Sequence, residues 1–185
     1  RALYNFGAAC EDRGEDGEAL RVYREAVSIW PDFADAHYNL AGVYGRRKEW
    51  GEAIRHYQEA IRRQPGNVRY LTNYGYALNA AGRPAEARAI LDQATTYDPL
   101  SAEAWTNLGA AALATDDLKE AVRAYREALR LAPNHTDYTL NLAAALLQSG
   151  AAGEAAELFN RVVAARPDQP ILRYHQGRAL EQAGR

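Results

Sequence analysis

The chain has 185 residues, of which 48% are hydrophobic and 25% are charged, a composition that excludes an intrinsically disordered protein. Its formal net charge is −2 at pH 7, so no overall positive field is present to hold a nucleic acid or an anionic membrane surface. No apolar run approaches the ~20 residues of a transmembrane helix. We expect no membrane partner, and the cytoplasm is the default location.

The sequence repeats itself with a period of 34 residues. The repeat is clearest in three columns, which are Pro31, Pro65, Pro99, Pro133 and Pro167, then Ala19, Ala53, Ala87, Ala121 and Ala155, then Asn5, Asn39, Asn73, Asn107 and Asn141. No insertion or deletion interrupts these columns. A fixed period of this length predicts a stack of similar structural units rather than one globular core.

Each unit is predicted to contain two helices. In chain order the units are residues 1–33, 34–67, 68–101, 102–135 and 136–169, followed by the lone first helix of a sixth unit in residues 170–185. Helices of about thirteen residues are marginal alone in water, so each pair must stack on the next. The chain begins one residue into a unit and contains no methionine, and we expect it to be a piece of a longer protein.

Residues in and beside the links between helices also indicate where the helices end and begin. Glycine stands at this link in three units, as Gly14, Gly82 and Gly150, where a positive φ costs glycine least. Pro84 is expected at the first position of its helix. Asp116 and Asp117 are good N-cap residues for the second helix of the fourth unit.

The fourth unit has the most complete pattern. Its first helix carries apolar residues at helical spacing, and its second carries alanines around an aromatic residue. The residues are Trp105, Leu108, Gly109, Ala121, Tyr125, Ala128 and Pro133. This pattern resembles that of the tetratricopeptide repeat family, and the resemblance covers the whole chain. It implies an all-α fold, a right-handed superhelical solenoid of antiparallel helix pairs.

No motif indicates catalysis. The chain has no G-x-S-x-G, P-loop, G-x-G-x-x-G or H-E-x-x-H sequence, so we predict a protein that is not an enzyme, with no catalytic residues and no cofactor. We expect the four histidines to pack or be solvated separately, without a metal site. They are His37, His56, His135 and His175. The single cysteine, Cys10, is predicted to be a small buried hydrophobe.

The resemblance implies where a partner binds, because the first helices of stacked tetratricopeptide pairs build the inner wall of a superhelix along which peptides commonly lie. The asparagine column places Asn5, Asn39, Asn73, Asn107 and Asn141 on this wall. A carboxamide both donates and accepts hydrogen bonds, so it suits a peptide backbone. The column is similar to the asparagine ladder of O-linked N-acetylglucosamine transferases. The alternative is that these asparagines bond within or between repeats.

Three further residues accompany the asparagines on the predicted wall. Tyr38 and Tyr76 offer aromatic surface for a peptide, or alternatively cover neighbouring repeats. Arg69 is the one cation at a plausible position for a carboxylate clamp. The wall lacks the basic track that RNA-binding helical repeats need, so a nucleic-acid partner is not expected.

The sequence therefore predicts a protein–protein interaction module that binds an extended peptide along its concave groove. One alternative is the substrate-recruiting region of a larger enzyme, such as a glycosyltransferase. Another is an assembly scaffold that self-associates through its last helix. The apolar stripe of that helix is expected to be exposed, and it consists of Leu172, Gln176, Ala179 and Ala183.

Overall fold

The computed structural model describes residues 2–184, which form eleven α-helices and no strand. The helices are α1 (Ala2–Asp12), α2 (Asp16–Ile29), α3 (Ala34–Arg46), α4 (Trp50–Arg63), α5 (Val68–Ala80), α6 (Pro84–Tyr97), α7 (Ala102–Ala114), α8 (Leu118–Leu131), α9 (Thr136–Gln148), α10 (Ala152–Ala165) and α11 (Pro170–Gln182). Arg1 and Arg185, the outer ends of the first and sixth predicted units, lie outside the described residues. No helix within the described range is both long and apolar enough to cross a bilayer.

The chain divides into two compact units, Arg1–Tyr97 with α1 to α6 and Asp98–Arg185 with α7 to α11. Inside each unit, every helix packs against the next one along the chain. Short links make successive helices antiparallel. Alternate helices also touch, α1 with α3 and α3 with α5 in the first unit, and α7 with α9 in the second. Each unit is therefore a stack of helix pairs.

Small residues let the two helices of a pair approach closely. The alanine column formed by Ala19, Ala53, Ala87, Ala121 and Ala155 is fully buried. On α7, a methyl group at Gly109 would lie 2.7 Å from the ring of Tyr125 on α8, which is well inside van der Waals contact. The glycine therefore allows the aromatic ring to lie directly against the helix backbone. Cys10 on α1 is also fully buried, as predicted.

The links between paired helices use the left-handed backbone conformation. Gly14, Gly82 and Gly150 have φ values of 72°, 75° and 83°, which confirms the prediction for these glycines. Lys48 and Asp116 occupy the same position of the second and fourth pairs with φ of 60°. The N-cap of α8 is Asp117, whose side chain accepts a hydrogen bond from the backbone N–H of Glu120 at 3.1 Å. The first residue of α6 is Pro84, as expected.

The last helix, α11, packs its apolar side against α10. Leu172 is 2% exposed and Ala179 is fully buried, so the predicted exposed stripe is wrong at these two positions. The apolar side of α11 already has a partner in the preceding helix. The large apolar side chains that α11 does expose are Ile171 and Tyr174, at 57% and 59%.

Candidate functional site

The asparagine column occupies the same position of each complete first helix. Asn5, Asn39 and Asn73 lie on α1, α3 and α5 of the first unit, while Asn107 and Asn141 lie on α7 and α9 of the second. Asn5 is exposed and the other four are half-buried. This exposure leaves each side chain within reach of both its own repeat and solvent.

Two of these carboxamides bind tyrosine hydroxyls of the preceding repeat. The Nδ2 of Asn39 donates to the hydroxyl of Tyr23 at 3.0 Å, and that hydroxyl donates to Glu11 Oε2 at 2.5 Å. The Nδ2 of Asn73 likewise donates to the hydroxyl of Tyr38. A carboxamide has two N–H donors and one acceptor oxygen. One bond of this kind links the repeats and uses only part of the hydrogen-bonding capacity.

Tyr38 and Arg69 form a contact between the second and third repeats. The ring of Tyr38 stacks on that of Tyr70 with centroids 4.8 Å apart, and the guanidinium of Arg69 lies 4.5 Å from the centre of the Tyr38 ring. Arg69 Nη2 is 3.3 Å from Asp35 Oδ1. Tyr38 therefore covers its neighbouring repeat, and an acidic partner balances the charge of Arg69.

A cavity of about 210 Å³ lies between α3 and α5, beside α4. We call it the aromatic cavity, and it is lined by Gly42, Gly45, Arg46, Trp50, Tyr57, Asn73, Tyr76 and Ala77. Trp50 and Tyr76 meet edge to face with ring centroids 6.1 Å apart. Tyr76 is 54% exposed. The structure thus brings together Asn73 and Tyr76, two of the residues predicted from the sequence.

Sequence reasoning missed Trp50 and Tyr57 as parts of this cavity. Tyr57 belongs to the aromatic column of the second helices, whose role is normally packing, and Trp50 has no counterpart in the other repeats. Gly42 and Gly45, which keep the cavity open, were the available signal, because two residues without side chains occur close together on one helix. Residue type and spacing alone do not show that this space is lined by aromatic rings.

Arg46 lines the aromatic cavity and is already paired with two carboxylates. Its Nε and Nη2 lie 3.0 and 2.8 Å from Asp16 Oδ1, and its Nη2 lies 2.8 Å from Glu11 Oε1. The hydrogen bonds that Arg46 donates to Asp16, and then to Glu11, raise the pKa of its guanidinium. The three side chains together carry a charge of −1, so the guanidinium is balanced inside the protein.

The hydroxyl of Tyr57 is one of the polar groups that line this cavity. Tyr57 is 6% exposed, and burial raises the pKa of its hydroxyl. No residue of the described chain hydrogen-bonds this oxygen, whereas the equivalent hydroxyl of Tyr23 binds both Glu11 and Asn39. The Tyr57 oxygen lies 4.0 Å from where a methyl group on Gly42 would stand. It is therefore close to the part of the cavity wall that α3 forms.

His37 and His56 form a buried pair in the second repeat. Their Nδ1 atoms are 3.0 Å apart, and His37 Nε2 is 3.0 Å from the carbonyl oxygen of Pro31. The expectation that the histidines pack separately is wrong here, because the pairing of α3 with α4 brings the two rings together. Between residues 2 and 184, no cluster of three or more His, Cys, Asp or Glu side chains is arranged to hold a metal ion.

The sequence can be assigned to a family. Residues 1–184 match the family model of the cilia and flagella-associated protein 70 C-terminal domain. The chain belongs to this family. A search of curated protein sequences gave no match.

Three solved structures resemble this family member closely in fold. Pseudomonas aeruginosa PilF is 26% identical with a TM-score of 0.85, covering 97% of this chain and 82% of its own. MamA from Desulfovibrio magneticus RS-1 is 21% identical with a TM-score of 0.83, covering 91% and 95%. YrrB, described as a TPR protein with an unusual peptide-binding site, is 21% identical with a TM-score of 0.79, covering 95% and 90%. These similarities confirm the all-α tetratricopeptide-type solenoid predicted from the sequence.

Proposed function

We propose that this chain is a protein-interaction module whose first helices hold an extended peptide through their asparagines. The observation that carries the proposal is the column of half-buried carboxamides at one position of α3, α5, α7 and α9. The tyrosine bonds of Asn39 and Asn73 each use one N–H. The second N–H and the oxygen of each side chain suit the C=O and N–H of a peptide backbone.

The comparisons support a peptide rather than another kind of ligand. The fold is shared with YrrB, a TPR protein with a peptide-binding site, and repeated helix pairs provide extended binding surfaces. In the proposed groove, carboxamides contact the main chain of the ligand, as in the asparagine ladder of O-linked N-acetylglucosamine transferases. Such contacts would accept many peptide sequences.

Charge supports a protein partner over a nucleic acid. Nucleic-acid binding needs cations that neutralise phosphates. Arg46 is paired with Asp16 and Glu11, and Arg69 with Asp35. These cations are balanced by protein carboxylates, and the net charge of the chain is −2.

The proposal is tested by replacing the four asparagines together. The variant Asn39→Ala, Asn73→Ala, Asn107→Ala, Asn141→Ala is screened beside the wild type against a peptide library. We expect its affinity for the selected peptides to fall at least about tenfold, since several backbone hydrogen bonds are lost. Circular dichroism checks that the variant is folded. Asn134→Ala, in an exposed loop, is the matched control, and unchanged affinity of the quadruple variant rejects the proposal.

A second candidate function, self-association, is favoured by the exposed Ile171 and Tyr174 of α11. In this candidate the chain is an assembly scaffold, and sedimentation velocity would show a mass that rises with concentration. The double variant Ile171→Ser, Tyr174→Ser would then be monomeric. Leu100→Ser, which changes another exposed apolar residue, is the control. A wild type that stays monomeric at high concentration rejects this candidate.

The recruitment of substrate to an attached catalytic domain, such as a glycosyltransferase, is the remaining candidate. It rests on the same asparagine column and requires the same peptide-binding groove. The coding sequence of the parent gene decides it, because a parent without a catalytic domain rejects it.

A further inference from the structure

We propose that the aromatic cavity binds the prolines of a proline-rich segment in the polyproline II conformation. This inference rests on the proposed function and adds the chemical class of the peptide. The cavity is lined by residues of α3, α4 and α5, which all lie in the first unit.

The shape of the aromatic cavity suits a compact apolar ring. Trp50 and Tyr76 meet at an interplanar angle of 77°, so one ring presents its face where the other presents its edge. Gly42 and Gly45 add no side chain to the part of the wall that α3 forms. The resulting space of about 210 Å³ opens between aromatic surfaces. Grooves lined by aromatic rings are the usual docking sites of proline-rich segments.

The polar groups of the cavity suit a ligand that mainly offers hydrogen-bond acceptors. Within residues 2–184 the Tyr57 hydroxyl has no hydrogen-bond partner, and Asn73 has a second N–H beyond the one that binds Tyr38. A hydroxyl that borders a cavity can bind a ligand without breaking a bond within the protein. A polyproline II segment has no internal hydrogen bonds, and proline has no N–H. Its carbonyl oxygens can therefore accept from Tyr57 and Asn73 without leaving donors that also need partners.

Charge disfavours an anionic occupant. A carboxylate or phosphate would meet a group of net charge −1, because Asp16 and Glu11 already bind the guanidinium of Arg46 in the cavity wall. Desolvating an anion without an opposite partner is unfavourable. A proline-rich segment brings no such charge into the cavity.

The test compares two labelled ten-residue peptides, one of proline only and one of alternating glycine and serine, by fluorescence anisotropy. The wild type is expected to bind the proline peptide saturably and the control peptide not at all. The variant Tyr57→Phe keeps the ring and removes the hydroxyl, and we expect about fivefold weaker binding. Tyr57→Phe should unfold in urea as the wild type does, since no bond within the described chain is lost.

The matched control is Tyr125→Phe, which removes the hydroxyl of another buried tyrosine in the same column and outside the cavity. It should bind the proline peptide as the wild type does. No saturable binding by the wild type, or equal binding by Tyr57→Phe, overturns the inference. If the library yields proline-free peptides whose binding depends on the asparagines, the inference fails and the proposed function stands. If the library yields no peptide and the proline peptide is not bound, both fail.

Discussion

At the scale of single residues, the buried histidine pair sets a pH limit on the first unit. The carbonyl oxygen of Pro31 can only accept, so His37 Nε2 carries the proton and donates to it. His37 Nδ1 then accepts the proton of His56 Nδ1, and both rings are neutral. Burial lowers the pKa of both rings. For His56, burial and the neighbouring His37 together lower the pKa to about 4.

We predict that acid destabilises the protein through this pair. Below about pH 6.5 the unfolded histidines take up protons, while folded His56 stays neutral until about pH 4. Because the unfolded state binds more protons, the free energy of unfolding falls as the pH is lowered across this window, by about 3 kcal/mol for His56 alone. Urea unfolding at several pH values measures the slope of the free energy of unfolding against pH. His56→Gln should flatten it, and the exposed control His135→Gln should not. Equal slopes for all three proteins would contradict the assignment.

Another residue-scale prediction concerns the close contact between α7 and α8. Gly109→Ala places a methyl group 2.7 Å from the Tyr125 ring, so the ring must move. We expect a loss of about 1 to 3 kcal/mol in the free energy of unfolding, measured in urea. In the same unit, a methyl group at Gly153 meets no atom within 4 Å. Gly153→Ala should therefore be neutral or stabilising, and an equally large loss there would refute the packing argument.

At the scale of the helix pair, the tightest constraint is the left-handed residue in the link. Glycine fills this position in the first, third and fifth pairs, as Gly14, Gly82 and Gly150. Lys48 and Asp116 adopt the same φ region with a Cβ. For a side chain such as lysine this conformation is strained, whereas aspartate tolerates it better.

Replacing Lys48 or Asp116 by glycine should therefore stabilise the protein, and by a larger amount at Lys48. We expect Lys48→Gly to raise the free energy of unfolding by about 1 kcal/mol, with a smaller gain for Asp116→Gly. Thermal and urea unfolding provide the measurement. The control Lys119→Gly lies inside α8 and should lose about 1 kcal/mol. A loss of stability in Lys48→Gly would show that the lysine side chain stabilises the fold by more than the backbone strain destabilises it.

At the scale of the whole molecule, surface charge contributes little to stability. Pairs such as Arg21 with Glu18 and Arg126 with Glu154 are largely exposed, and exposed ion pairs typically contribute below about 1 kcal/mol each. Raising the salt concentration from about 0.05 M to about 1 M should therefore change the free energy of unfolding by no more than about 1 kcal/mol. Urea, which is uncharged, is the suitable denaturant. A loss of several kcal/mol would show that charge pairs hold the fold together.

The sequence predicted what local chemistry decides and missed what depends on tertiary contact. Proline and glycine act within a few residues of their position, so the helix pairs and their links followed directly from the 34-residue columns. Predicting that His37 packs against His56, or that Trp50 and Tyr57 line a cavity, requires knowledge of how one helix packs on another. For the asparagines, the pattern gave the position on the helix but left open which groups they bind.

The tyrosine partners of Asn39 and Asn73 have a consequence for any ligand that meets these side chains. Each hydroxyl accepts one N–H of its carboxamide and so helps to orient it. Immobilising a flexible side chain on association costs about 0.5 to 1.5 kcal/mol. Here one intramolecular bond already restrains each of the two side chains, so association loses less entropy.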